Sequence, residues 1–401
     1  MNAKLQDQKV TIKTYKGLPV NYNETYVPPD FTIKELRDCV PAHCFKRDTL
    51  KSFSYVFADL AGIAALGYLA TFIDSHLPSL LRIPAWCLYW VAQGIVGTGI
   101  WVIGHECGHG SFSATRWVNN VTGMVLHSAL LVPFFSWKIT HSNHHKATNN
   151  LVRDEVFVPK HRREANVPSH VQSTPSWFDE TLFEETPIYH IYQAITQTFF
   201  GWQVYLFTNV TGPKYARGSS HFDPNAPLFK PHQYYQIVMS VVGVLFTLGV
   251  LVVASYLTSA SAVIKFYGVP YMFVHGWLVT ITFLQHTDPA VPYYTEKEWN
   301  FVRGALCTID RDYGWLLNTC FHHITDTHVA HHLFSQMPHY NALEATEHIK
   351  KKLGKYYNFD DTNFAVAVYE NIKKCKFVDG DGDVLFYHNA SKLPKGVTKQ
   401  E

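Results

Sequence analysis

Charge is scarce in this 401-residue chain: Asp, Glu, Lys and Arg together make up 16% of it, against roughly a quarter in an average soluble domain. The 34 Lys and Arg nearly balance the 32 Asp and Glu, for a formal net charge of +2, which argues against a nucleic-acid binder. An apolar share of 47% with 15% aromatics excludes a disordered chain. Cysteine is sparse and scattered. Cys39, Cys44, Cys87, Cys107, Cys307, Cys320 and Cys375 form no C-x-x-C pair, so neither a disulfide framework nor a thiolate zinc site is indicated, and a reducing, cytosol-facing environment fits. The polar N-terminal stretch lacks the n-region, apolar h-region and small-residue cleavage site of a signal peptide, so membrane insertion is expected to use the first apolar span itself. The mean hydropathy of −0.07 is too low for a chain wholly immersed in lipid and points to a hybrid of membrane and aqueous parts.

Against that background four apolar runs stand out: 53–73, 84–104, 237–257 and 266–284. Each is long enough for the ~30 Å hydrocarbon core, which takes about 20 helical residues. The second and third carry no charge, the first carries Asp59, and the fourth carries His275 and the kink-prone Pro270. A soluble core helix is rarely free of charge over such a length, so these read as transmembrane helices. Trp86, Tyr89 and Trp90 near one end of the second run resemble an interfacial anchor. The glycines Gly94, Gly97 and Gly99 inside it suit close helix packing better than a phosphate loop.

The basic residues orient the spans. Nine Lys and Arg lie in 1–51, ten in 105–236 and 13 in 286–401, which leaves Arg82 and Lys265 in the two short connections. By the positive-inside rule both termini and the central segment are expected in the cytosol. The organisation is then a cytosolic N-terminal segment 1–52, transmembrane helices in 53–104, a cytosolic or interfacial segment 105–236, transmembrane helices in 237–284 and a cytosolic C-terminal segment 285–401. Two further uncharged stretches, 118–135 and 189–211, contain Asn, Gln, Thr or His and are expected to lie in the interface. The sequons at Asn23, Asn120, Asn209 and Asn389 all fall on the cytosolic side of this scheme and are expected to carry no glycan. The polar stretch 160–185 reads as a surface excursion.

Histidine is abundant, 23 in all. The second run leads directly into His105-Glu106-Cys107-Gly108-His109, whose histidines share a helix face at i and i+4. His141-Ser142-Asn143-His144-His145 and His328-Val329-Ala330-His331-His332 each repeat the pattern i, i+3, i+4. A lone H-x-x-H-H is usually a solvated helix face; two of them plus an H-x-x-x-H, all beside membrane spans on one side, point to metal. Eight imidazoles exceed the three protein ligands of a catalytic zinc. They suit two metal ions, and imidazole accommodates iron, copper, nickel or zinc.

The order HECGH, HSNHH and HVAHH, with wide gaps and four spans, resembles the membrane-bound fatty-acid desaturases. FSWK at 135–138, RDEVFVPK at 153–160, FLQHTDP at 283–289, and TDTH at 325–328 through MPHY at 337–340 are similar to the endoplasmic-reticulum oleate (delta-12) and omega-3 desaturases, especially fungal ones. The resemblance runs from about Val27 to Tyr387. It implies an all-α integral membrane fold, four transmembrane helices under a cytosolic helical cap, and a non-haem di-iron site that uses O2 to remove two hydrogens from adjacent methylenes of an acyl chain. An unactivated C–H bond offers no acidic proton, so redox metal chemistry is needed where side-chain acid-base chemistry fails.

Carried over residue by residue, the resemblance implies His105, His109, His141, His144, His145, His328, His331 and His332 as catalytic metal ligands, with His286, at the cytosolic end of the fourth span, as a ninth. His322 stands as either a ligand or a neighbour of the ligands. Glu106, Asp154, Glu155 and Asp326 are candidates to orient imidazoles, a role that ligating histidines usually require, although Asp154 and Glu155 equally suit an exposed surface. One departure is Gly110, where many relatives have a histidine directly after the first box. There is no His-Pro-Gly-Gly haem motif, so the resemblance implies separate cytochrome b5 and its NADH-dependent reductase as electron donors, with membrane phospholipid acyl chains as substrate in the endoplasmic reticulum. The expected reaction is delta-12 desaturation of oleoyl chains. Omega-3 desaturation, and hydroxylase, acetylenase or conjugase chemistry on the same scaffold, remain alternatives. A zinc protease also stays open, since HECGH matches H-E-x-x-H, but it leaves both H-x-x-H-H clusters unexplained. A metal transporter would want polar residues within its spans, where Asp59 and His275 stand almost alone.

Overall fold

The structure, a computed structural model, describes residues 26–161, 186–378, 380 and 382–388. The sequons at Asn23 and Asn389 and nearly all of the expected surface excursion lie outside the described residues. The described residues are mostly helical, with only two-residue strands. Among the described residues, four helical stretches are long and apolar enough to cross a membrane: Thr49–His76, Ser79–His109, Pro231–Leu257 and Ala260–His286. Their main helices are α1 (Thr49–Ala70), α2 (Ser79–His109), α6 (Tyr234–Leu257) and α7 (Val269–His286), and between them come α3 (Arg116–Ala129), α4 (Phe134–Ala147) and α5 (Pro187–Thr208).

Local chemistry sets where these helices begin and end. The Asp48 carboxylate caps α1 by accepting from the Leu50 and Lys51 backbone N–H groups at 3.0 and 3.1 Å, so one side chain satisfies two of the helix's orphan donors. At 31 residues, α2 is about 46 Å long. That exceeds the hydrocarbon core by roughly ten residues, and the surplus turns carry the first histidine box out of the membrane. Pro84, expected near the start of the span, is the sixth residue of the helix, because the helix begins at Ser79. Gly110 ends α2 in the left-handed region at φ +75°, a conformation that glycine enters without steric cost.

The run 118–135, read from sequence as one interfacial helix, is two. Helices α3 and α4 meet at 109°. The break falls where Pro133 removes a donor and disfavours helical backbone at Val132, with Leu131 at φ +55°. Trp117, Val121 and Val125, one turn apart, form an exposed apolar strip along α3, while Asn119, Gly123 and His127 face inward. Helix α5 packs against α7 and against α10 (Phe364–Lys374). Helices α1 and α6 leave Phe57, Tyr68, Leu245, Phe246 and Val253 exposed. Lipid tails are as apolar as these side chains, so such faces belong in a bilayer.

Beyond α7 the chain builds a cap that includes α8 (His328–Leu333), α9 (Ala342–Leu353) and α10. Three short ladders fasten it: 293–294 with 384–385 and 377–378 with 387–388, both antiparallel, and 310–311 with 359–360, parallel. At the join sits Arg311, fully buried. Its guanidinium donates to Leu284 O at 2.7 Å and Asp288 Oδ2 at 3.0 Å, and it pairs with Asp360. This fixes the end of α7, two residues before His286, against the cap. Trp101, Trp137, Trp202, Leu278 and Phe321 form an apolar cluster between spans and cap.

Candidate metal centre

Box one rides on the overshooting end of α2, box two on α4, box three on α8, and His286 is the last residue of α7. The bend between α3 and α4 returns the chain to the side it left, since His109 and His145 have ring centroids 4.3 Å apart. Together the nine imidazoles form two sets. Ring nitrogens of His105, His109, His141, His145 and His331 lie within 4.8 Å of one another, and so do those of His144, His286 and His332. His328 joins the second set, its Nε2 3.0 Å from His286 Nε2.

Each H-x-x-H-H triplet is divided between the sets, in opposite ways. On α4 the i and i+4 residues, His141 and His145, enter the first set and His144 the second. On α8 the i+3 residue, His331, enters the first set while His328 and His332 enter the second. The sets touch where the His145 and His332 rings stack at 3.9 Å between centroids.

The outer nitrogens show which atom is left to bind. His144 Nδ1 lies 2.8 Å from Asp154 Oδ1. Asp154 is wholly buried and also accepts from the backbone N–H groups of Asn149 and Val156, at 3.0 and 2.9 Å. His332 Nδ1 lies 3.2 Å from Thr148 Oγ1, whose hydroxyl donates to His144 O at 2.9 Å and so must accept from the ring. With Nδ1 occupied, His144 and His332 each present Nε2, and these Nε2 atoms, like that of His331, are buried without a hydrogen-bond partner. The remaining rings converge through the same atom: Nε2 of His105 and His109 are 3.2 Å apart, and Nε2 of His141 and His145 are 3.1 Å apart. Burial, reinforced by His105, pushes the His331 imidazole down to about 3. Burial and neighbouring rings hold His328 and His332 well below the usual histidine range. Neutral, desolvated, convergent lone pairs repel each other unless cations sit between them, so the donor set fits two metal ions.

The other candidates fall around this centre. Glu106 is buried; its Oε2 accepts from Ser111 Oγ at 2.8 Å and from the His339 N–H at 3.1 Å, and its Oε1 lies 3.6 Å from His105 Nδ1. It therefore faces the outer side of that ring, away from Nε2. A protease glutamate must reach the metal-bound water, and this carboxylate points the other way. His322 is in neither set. Its Nε2 lies 2.8 Å from Asp59 Oδ2 of the first span, an approach that Gly99 permits, because a Cβ there would come within 2.7 Å of the same oxygen. His322 and His323 have φ values of +51° and +61°. That turn directs Asp326 to His323 Nδ1, at 3.1 Å, and not to a box histidine. Glu155 Oε2 accepts from Asn143 Nδ2 at 2.9 Å, within box two. His275 is buried between Tyr271 and Trp202.

Sequence reasoning missed Thr148 and His339. Thr148 follows His144 by four residues and so shares its helix face, a signal that was available. His339 meets Glu106 only through the tertiary fold.

The chain matches the family model described as "Fatty acid desaturase" over residues 84–362. It is similar to a Delta(12) fatty acid desaturase of Mortierella alpina, 49% identical over 370 residues that cover 91% of this chain and 92% of the relative. A Delta(12)-fatty-acid desaturase of Arabidopsis thaliana is 46% identical over 366 residues, 90% of this chain and 92% of the relative. An oleate hydroxylase of Claviceps purpurea is 42% identical over 409 residues, 94% of this chain and 85% of the relative. With spans, histidine sets and relatives in agreement over most of its length, the chain belongs to the fatty acid desaturase family.

Proposed function

We propose that this oxidoreductase inserts a double bond at the delta-12 position of oleoyl chains in membrane phospholipid, using two irons held by the nine histidines. Members of the family act on membrane-lipid acyl chains in an O2-dependent, di-metal reaction. The observation that carries the reading is the pair of convergent imidazole sets at the membrane ends of α2 and α7, joined to the Delta(12) names of relatives that match nearly full length. When bound, the irons supply the O2-activating redox chemistry that an unactivated C–H bond requires. His105, His109, His141, His145 and His331 hold one ion; His144, His286, His328 and His332 hold the other. Asp154 and Thr148 keep the His144 and His332 rings in the tautomer that leaves Nε2 free, and Glu106 steadies the box-one turn. The apolar cluster around Trp101, Trp137 and Phe321 keeps bulk water from the side that faces the spans.

Cytochrome b5, reduced by its NADH-dependent reductase, is the proposed electron donor. The endoplasmic reticulum is the proposed membrane, with 1–52, 105–236 and 285–401 cytosolic. The test is a fatty-acid profile, with double-bond positions by mass spectrometry, of a host without polyunsaturates that expresses the chain. A 9,12-diene from supplied oleate is the expected product. A 9,12,15-triene formed only from linoleate would instead make this an omega-3 enzyme, and a hydroxylated product would align it with the Claviceps relative.

A further inference from the structure

The second histidine set has an unusual route to the surface. Its two held rings, His144 and His332, rest on Asp154 and Thr148, and both contacts lead outward to the same place. Asp154 follows Arg153 in the chain. Thr148 O accepts from the Trp299 indole N–H at 2.9 Å. The Arg153 guanidinium lies 4.3 Å over the Trp299 ring, and this stack is part-exposed. Gly304 makes room for it, since a Cβ there would come within 2.4 Å of Thr148 O and 2.8 Å of the indole nitrogen. The first set differs: Glu106, beside His105, is buried and turned inward to Ser111 and His339.

We propose that the Arg153–Trp299 stack is the electron-entry point. A one-electron carrier protein docks over it, and the electron passes through the Trp299 indole, its hydrogen bond to Thr148 and the Thr148–His332 contact to the second histidine set. This rests on the desaturase reading above. Each docking oxidises the carrier by one electron. Two dockings supply the two electrons that, with two protons and the two hydrogens taken from the acyl chain, reduce one O2 to two waters. The partner's chemistry follows from the stack: a redox group at the protein surface, to sit against the indole, with carboxylates around it to meet Arg153. Glu296 pairs with Arg153 at 2.6 Å, both about half exposed; such a pair is weak in water and exchanges readily for a partner's carboxylate.

The test uses full-length, metal-loaded enzyme and the soluble haem domain of cytochrome b5. Trp299→Leu is expected to slow oxidation of the reduced haem by about tenfold, the order seen when an aromatic anchor is truncated at a protein contact. Trp299→Phe, which keeps a ring but loses the N–H, is expected to fall between. Metal content and the diene yield driven by dithionite should match wild type in both. Arg153→Glu should weaken docking of the oxidised haem domain, to which no turnover is coupled, and flatten its dependence on ionic strength. Haem oxidation at the wild-type rate in both Trp299 variants overturns the proposal. So does an equal loss of dithionite-driven and haem-driven turnover, which would mark Trp299 as structural. If wild type made no diene even with dithionite, the delta-12 reading would fall, and the docking measurement would still decide the entry surface.

Discussion

Asp154 illustrates how much one carboxylate does at this centre. It anchors the His144 ring and also ties down the backbone at Asn149 and Val156. Asp154→Ala frees that ring and takes the acceptor from three backbone N–H groups, those of Asn149, Val156 and Phe157, so metal affinity should fall by about 10- to 100-fold, measured by competition with a chelator of known affinity. Asp154→Asn retains one acceptor for the ring and should lose less. His328→Ala removes a donor without touching a span: desaturation should vanish while membrane insertion persists, and activity near wild type would refute the ligand assignment. The eight box histidines were legible in the sequence because helical spacing alone places each triplet on one face. Their division between two sets was not, because it depends on the angle at which α4 and α8 face each other. Asp326 shows the same limit, since the left-handed turn at His322 and His323 swings it to His323.

At the scale of elements, α2 matters most, since one helix is both span and ligand arm. Its apolar run was plain in the sequence, but its true length was not, because the histidine box continues the helix and carries no hydropathy signal of its own. Gly110 stops it at φ +75°. Gly110→Ala should cost about 1–2 kcal/mol through left-handed strain, seen as a lower unfolding temperature in detergent. A Gly110→His variant that unfolded no earlier than wild type would show that the turn relaxes. The bend between α3 and α4 was missed for a different reason: 118–135 has uniform composition, and the break is made by Pro133 and the backbone before it, not by a change in polarity.

For the whole molecule, the join of membrane and cap depends on Arg311. Arg311→Leu leaves Asp288 and Asp360 buried without their cation, a change that typically costs 3–5 kcal/mol, about the loss for breaking a buried pair. It should also loosen His286 at the end of α7, so that metal is lost together with thermal stability; stability without metal loss would separate the two roles. The four spans were readable from sequence as long apolar runs. The short ladders that fasten the cap were not, because they pair residues up to 92 positions apart, as Tyr293 is from Leu385, and two-residue strands leave no periodicity to detect.

The opposite division of the two H-x-x-H-H triplets has a consequence for how the enzyme comes to life. Seating one ion orders both α4 and α8, so the second ion meets ligands whose conformational freedom has already been lost and should bind more tightly than the first. Preparations starved of the metal should then sort into empty and doubly loaded molecules, with few holding a single ion, and native mass spectrometry across a loading series would reveal it. Assembly becomes all-or-none, and a cell short of the metal would own fewer working copies of this enzyme instead of many impaired ones.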